Sequence, residues 1–109
     1  MIDFKKYQDL SSRTINYSLE EELALANWAM GLAGEAGETV DALKKVLFHG
    51  HSLNKDKIAE ELGDVLWYVS AICNNLGLSM EQIAFDNVMK LKKRYPERYS
   101  NFNSINRDD

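Results

Sequence analysis

The sequence predicts an all-α protein, an antiparallel helical bundle of about four helices, on three observations. Apolar residues recur with helical spacing along most of the chain, proline occurs once, at Pro96, and the six glycines do not supply the turn-rich punctuation of a β-sandwich. A length of 109 residues suits one hydrophobic core, so residues 1–109 are expected to form a single domain. With 45% hydrophobic and 28% charged residues the composition is that of a folded globular protein.

The elements follow in order. Phe4 to Thr14 carries apolar residues at 4, 7 and 10, the mark of a short amphipathic helix. Ser18 and Glu21 have capping-box spacing and are expected to start a long helical segment. Its apolar row runs through 25, 29, 32, 36, 40, 43 and 47 to Gly50, as one helix or two abutting ones, because Gly31, Gly34 and Gly37 weaken its middle. After the loop HGHSLN, Ile58, Leu62, Val65, Val69, Ile72 and Leu76 mark a third helix closed by Gly77. Ser79 and Gln82 open a fourth, with Ile83, Ala84, Val88, Leu91 and Tyr95 on its inner face until Pro96. From about residue 100, SNFNSINRDD reads as a loose tail.

Charge and cysteine content exclude several functions. The net charge of −4 is wrong for a protein that grips a nucleic acid polymer. The lone Cys73 makes neither an internal disulfide nor a cysteine-based zinc site, which fits a reducing cytoplasm. No run of about 18 apolar residues suggests a membrane span, and MIDFKKYQDL lacks the apolar core of a signal peptide.

Two acidic doublets carry the chemistry, Glu35-x-x-Glu38 on the second helical segment and Glu61-x-x-Asp64 on the third. Residues three apart project from one helix face, and both doublets border apolar rows, so antiparallel packing would converge four carboxylates on one seam. Two like charges about 5 Å apart repel by about 3 kcal/mol at an effective dielectric near 20, a cost that a divalent cation removes. All-oxygen ligands suit Mg²⁺, with Mn²⁺ as a substitute, and neither His49 nor His51 is spaced to join the cluster. Gly34, Gly37 and Gly63 interleave with the carboxylates and are expected to let helices or a ligand approach closely. A simple packing notch would need the same residues.

The stretch from Gly31 to Glu38, GLAGEAGE, followed by EELGD from Glu60 to Asp64, resembles the MazG-like all-α nucleoside triphosphate pyrophosphohydrolases. The resemblance covers about Leu25 to Tyr95, with 22 residues between Glu38 and Glu61. It implies an oligomeric helical bundle that uses Mg²⁺ to split a nucleoside triphosphate into a monophosphate and pyrophosphate, with Glu35, Glu38, Glu61 and Asp64 as metal ligands. Glu38, and after it Glu35, is then the expected catalytic base.

The nucleotide itself would be held by further residues. Asn87, Lys90 and Arg94 form one polar stripe on the last helix, suited to phosphate oxygens or simply to a solvated helix end. Asn27 and Trp28 precede Glu35 by about two turns and could read and stack a base, although a core role for Trp28 is the plainer one. Tyr68, four residues past Asp64, could reach the same pocket, whereas Trp67 is expected to be structural. Apolar residues in excess of one small core point to a homodimer or a homotetramer. The rival function is a non-catalytic helical interaction module, in which the doublets are solvated and the glycines receive a partner helix.

Overall fold

The computed structural model describes residues 1–107, and the described residues contain helices and no strand. The helices are α1 (Phe4–Ser12), α2 (Glu21–Phe48), α3 (Lys55–Leu76), α4 (Met80–Arg94) and α5 (Asn101–Ile105). The all-α expectation holds, with a fifth helix added. That helix corrects the expected loose tail: the Ser100 side chain accepts from the Asn103 N–H at 3.0 Å and starts a short turn of helix. Residues 108–109 of the expected tail lie outside the described residues.

Side-chain caps fix most of the other starts. Asp3 caps α1, Asn54 caps α3 and Ser79 caps α4, the last as its spacing predicts. The Ser18–Glu21 capping box does not form. Ser18 donates both its N–H and its hydroxyl to Asn16 Oδ1, at 2.9 and 2.6 Å, and Glu20 occupies the cap position of α2 without a side-chain bond. The glycines do not break α2, which runs unbroken for 28 residues. Gly77 ends α3 in the left-handed region at φ 69°, which lets the Leu78 N–H return to the Cys73 carbonyl at 2.8 Å.

Helices α2 and α3 form an antiparallel hairpin, and α1 lies across α3. Ala24 and Trp28 of α2 pack with Ala71 of α3, and Ile15, Trp67, Tyr68 and Ile72 complete this core. Gln8 of α1 holds the α3–α4 joint: its Nε2 donates to Asn74 Oδ1 (3.0 Å) and the Leu78 carbonyl (2.8 Å), and its Oε1 accepts from the Met80 N–H (2.8 Å). Cys73 is buried at 2% exposure, the small core residue that its place in the sequence suggests, and burial pushes its thiol pKa up.

The face of α2 turned to α3 coincides only in part with the apolar row that the sequence singles out. Buried or half-buried positions run through 24, 28, 31, 35, 39, 42 and 46, with 25 and 32 of the expected row and residue 41 beside them, while Val40 and Leu47 of that row are 65% and 73% exposed. α2 therefore has two helical stripes, and only one is covered within the chain. On α4, Ile83, Val88 and Leu91 are also open, and this helix touches the hairpin only lightly, so one chain does not close a four-helix bundle. The chain exposes 8431 Å², against roughly 6,200 Å² for a compact monomer of 12.5 kDa. Its radius of gyration is 17.1 Å, where a compact domain of this length has about 13 Å.

Candidate metal centre

Because α2 turns residues 28, 31 and 35 towards α3, Glu35 sits at the seam rather than beside it. Glu35, Glu38 and Glu61 each offer a carboxylate oxygen, and these oxygens lie within 4.8 Å of one another. Glu61 is buried at 5% exposure, Glu35 is half-buried and Glu38 is exposed. One oxygen each of Glu35 and Glu61 is buried without a hydrogen-bond partner. Two ionised carboxylates cannot donate to each other, so the seam is short of positive charge or of a proton.

The electrostatics express this shortage. The Glu35 carboxyl is pushed up to about 7, first by sharing a proton with Glu61, then by burial and by the charges of Glu38, Asp64 and Glu61. Glu61 is held below the ordinary carboxylate range, chiefly by Lys57, whose Nζ lies 3.0 Å away, and Lys57 is raised in return. Lys57 is largely exposed, so it covers one side of Glu61 and leaves the other to the cluster. Lys45 pairs with Asp41 at 2.9 Å, the ion pair its spacing suggests, and holds that carboxyl low.

The donor set fits a divalent cation: three carboxylates converge, all donors are oxygen, and two buried lone-pair oxygens lack partners. Asp64 stands apart from this triplet. It is exposed one turn along α3 and lines an open cavity of about 380 Å³ together with Glu35, Thr14, Trp67 and Tyr68. The Asp64 charge also reaches Tyr7 of α1, whose phenol is raised mainly by burial.

The expected nucleotide contacts separate. Tyr68 does line the carboxylate cavity. Trp28 is 5% exposed and meets Trp67 edge-on with ring centres 5.4 Å apart, so it is a core residue here. Asn27 is exposed on α2, and Asn87 is exposed on α4. Lys90 and Arg94 line a different cavity of about 680 Å³ with Lys93 and Arg107, which shares no residue with the carboxylate cavity. The structure thus does not bring the α4 cations to the carboxylates within one chain.

The glycine expectation also shifts. A Cβ at Gly34, Gly37 or Gly63 would meet nothing, so these residues make no close approach within the chain. The close approach is at Gly31, where a Cβ would overlap the Tyr68 ring. Sequence reasoning missed Trp67 and Thr14 as cavity residues and Lys57 as the partner of Glu61. The i, i+4 spacing could have found Lys57, and Trp67 is one turn from Asp64, but nothing local signals Thr14.

No helix of the described residues is long and apolar enough to cross a membrane. The family model for the MazG nucleotide pyrophosphohydrolase domain matches residues 23–99. The "Gene 37 protein" of Mycobacterium phage L5 is 39% identical over 69 residues, which is 60% of this chain and 60% of that protein. The chain thus matches about three-fifths of that relative's length. No solved structure matches. The family match takes in α2 from its third residue, α3 and α4 with all four acidic positions, and leaves α1 and α5 outside it. On that match, the chain belongs to the MazG nucleotide pyrophosphohydrolase domain family.

Proposed function

We propose that this chain is a Mg²⁺-dependent nucleoside triphosphate pyrophosphohydrolase, a single MazG-like domain that cleaves a ribo- or deoxynucleoside triphosphate to its monophosphate and pyrophosphate and so clears surplus nucleotides in the cytoplasm. The observation that carries this reading is the convergence of Glu35, Glu38 and Glu61 at the α2–α3 seam with two buried oxygens unpaired. Phosphoryl transfer depends mainly on positioning and charge neutralisation, which such a seam supplies once a cation is present.

Glu35, Glu38 and Glu61 would hold Mg²⁺, with Asp64 on the adjoining turn, and the ion would neutralise triphosphate charge and lower the pKa of an attacking water. The chain's own residues do the rest. Lys57 keeps Glu61 ionised and so ready to ligate. Glu35, pushed up to about 7, is about half protonated at neutral pH until the site is loaded. Glu38, the exposed member of the triplet, accepts the proton of the attacking water as it adds to the α-phosphorus and pyrophosphate leaves. Alanine at Glu38 or Glu61 should abolish turnover while the helical circular-dichroism signal persists. An active Glu38→Ala/Glu61→Ala double variant would overturn the assignment.

The working form is proposed to be a homodimer or a homotetramer. The surplus of exposed surface, about 2,200 Å² per chain over a compact monomer, is what an obligate interface covers. The open row of α4 and the second stripe of α2 are its apolar parts. In such an assembly Asn87, Lys90 and Arg94 of one protomer would meet the triphosphate held by its partner.

A further inference from the structure

We propose that the cavity between Asp64 and the end of α1 is the nucleoside-binding site, with Trp67 and Tyr68 as its stacking wall and Thr14 as its polar reader. The inference rests on the pyrophosphohydrolase reading and names where the non-reacting half of the substrate lies. The cavity has two kinds of lining: the carboxylates of Glu35 and Asp64, and two aromatic rings with a hydroxyl. Trp67 and Tyr68 follow Asp64 by about one helical turn, roughly 4.5 and 6 Å along the axis. That is about the span of a ribose, so a nucleotide whose phosphates face the carboxylates lays its sugar and base on these rings.

The wall is rigid before any ligand arrives. Trp67 Nε1 donates to Thr14 Oγ1 at 2.7 Å, and Thr14 Oγ1 donates to the Ser11 carbonyl at 2.8 Å. The Ser11 and Ser70 hydroxyls pair at 2.7 Å and tie α1 to α3 behind it. Trp67 and Tyr68 meet edge-on with ring centres 5.0 Å apart, and Trp28 braces Trp67 from the core. Gly31 lets the Tyr68 ring lie against α2. Preorganised rings of this kind lose little freedom when a base stacks on them.

Thr14 supplies the discrimination. Its hydroxyl already spends its proton on Ser11 and one lone pair on Trp67, so it can accept one more hydrogen bond and donate none. It therefore favours a nucleoside that presents an N–H or O–H donor there. Thr14 lies outside residues 23–99, the stretch that the family model matches.

The test uses the full chain with Mg²⁺ and compares wild type with Thr14→Val, Thr14→Ser and Trp67→Phe. Steady-state kinetics are measured on the four ribo- and four deoxynucleoside triphosphates, with inorganic tripolyphosphate as a nucleoside-free competitor. Thr14→Val and Trp67→Phe should each raise KM for the preferred nucleotide by about tenfold and flatten the order of preference, the loss expected from one stacking or polar contact. Thr14→Ser should restore the order, and tripolyphosphate inhibition should not change. An unchanged order of preference, or an equal loss for nucleotides and tripolyphosphate, overturns the nucleoside site and leaves the hydrolase reading standing. If wild type hydrolyses nothing, that reading fails, and fluorescence decides the site. A saturable quench by an α,β-methylene nucleotide that is lost in Trp67→Phe supports it, and absence of the quench overturns it.

Discussion

Loading the α2–α3 seam with Mg²⁺ should expel a proton from Glu35. This carboxyl titrates at about 7 because it shares a proton with Glu61 and feels the neighbouring carboxylates, and a ligating carboxylate must be ionised. With that value the group is about 90% protonated at pH 6, about 50% at pH 7 and about 10% at pH 8, so each ion bound should release about 0.9, 0.5 and 0.1 proton. The apparent Kd for Mg²⁺ should rise about fivefold from pH 7 to pH 6, because the competent fraction falls in that proportion. Isothermal titration calorimetry in two buffers of different ionisation enthalpy reads the proton count directly. The sign for the metal-free fold is opposite. A raised carboxyl stabilises the folded state below the unfolded value of about 4.5, and that contribution is lost as pH rises through about 7. Metal-free protein should therefore melt lower at pH 8 than at pH 6, and Mg²⁺ should recover the most at pH 8. Mg²⁺ binding without proton release, at the same affinity from pH 6 to pH 8, would refute this account of Glu35.

Other predictions concern packing and assembly. Gly31→Ala should drive a methyl into the Tyr68 ring and cost about 1–3 kcal/mol in urea unfolding, with Tyr68→Ala relieving much of the loss in the double variant. Gln8→Ala removes three hydrogen bonds at the α3–α4 joint and leaves the N–H of buried Met80 without a partner, so about 1–3 kcal/mol should be lost in the same assay. Ser79→Ala should cost about 1 kcal/mol through loss of the α4 cap. Val88→Glu with Leu91→Glu places charge on the open α4 row, and light scattering should then report a monomer where wild type reports two or four chains.

The local elements were the most legible part of the molecule. Ser79 and Gly77 act through neighbours in sequence, so their spacing was enough to place the α3–α4 joint. Ser18 carried the same signal but lost to Asn16, whose side chain offers a nearer acceptor. Periodicity established that α2 is amphipathic but not which of its two stripes α3 would cover, since that depends on the partner helix. The Glu35–Glu61 pairing was readable because both doublets border apolar rows, whereas Asp64 fell a turn away from the triplet. Thr14 reaches Trp67 across 53 positions, a contact without local trace, and Trp28 was drawn towards the nucleotide although its depth makes it core.

The central claim is a reaction, and the products test it most directly. Purified chain incubated with Mg²⁺ and each common ribo- and deoxynucleoside triphosphate should yield nucleoside monophosphate and pyrophosphate, resolved by ion-exchange chromatography and ³¹P NMR, and should yield neither with Glu38→Ala/Glu61→Ala. Diphosphate with orthophosphate would contradict cleavage at the α-phosphorus, and no product from any nucleotide would leave the helical interaction module as the better description of this chain.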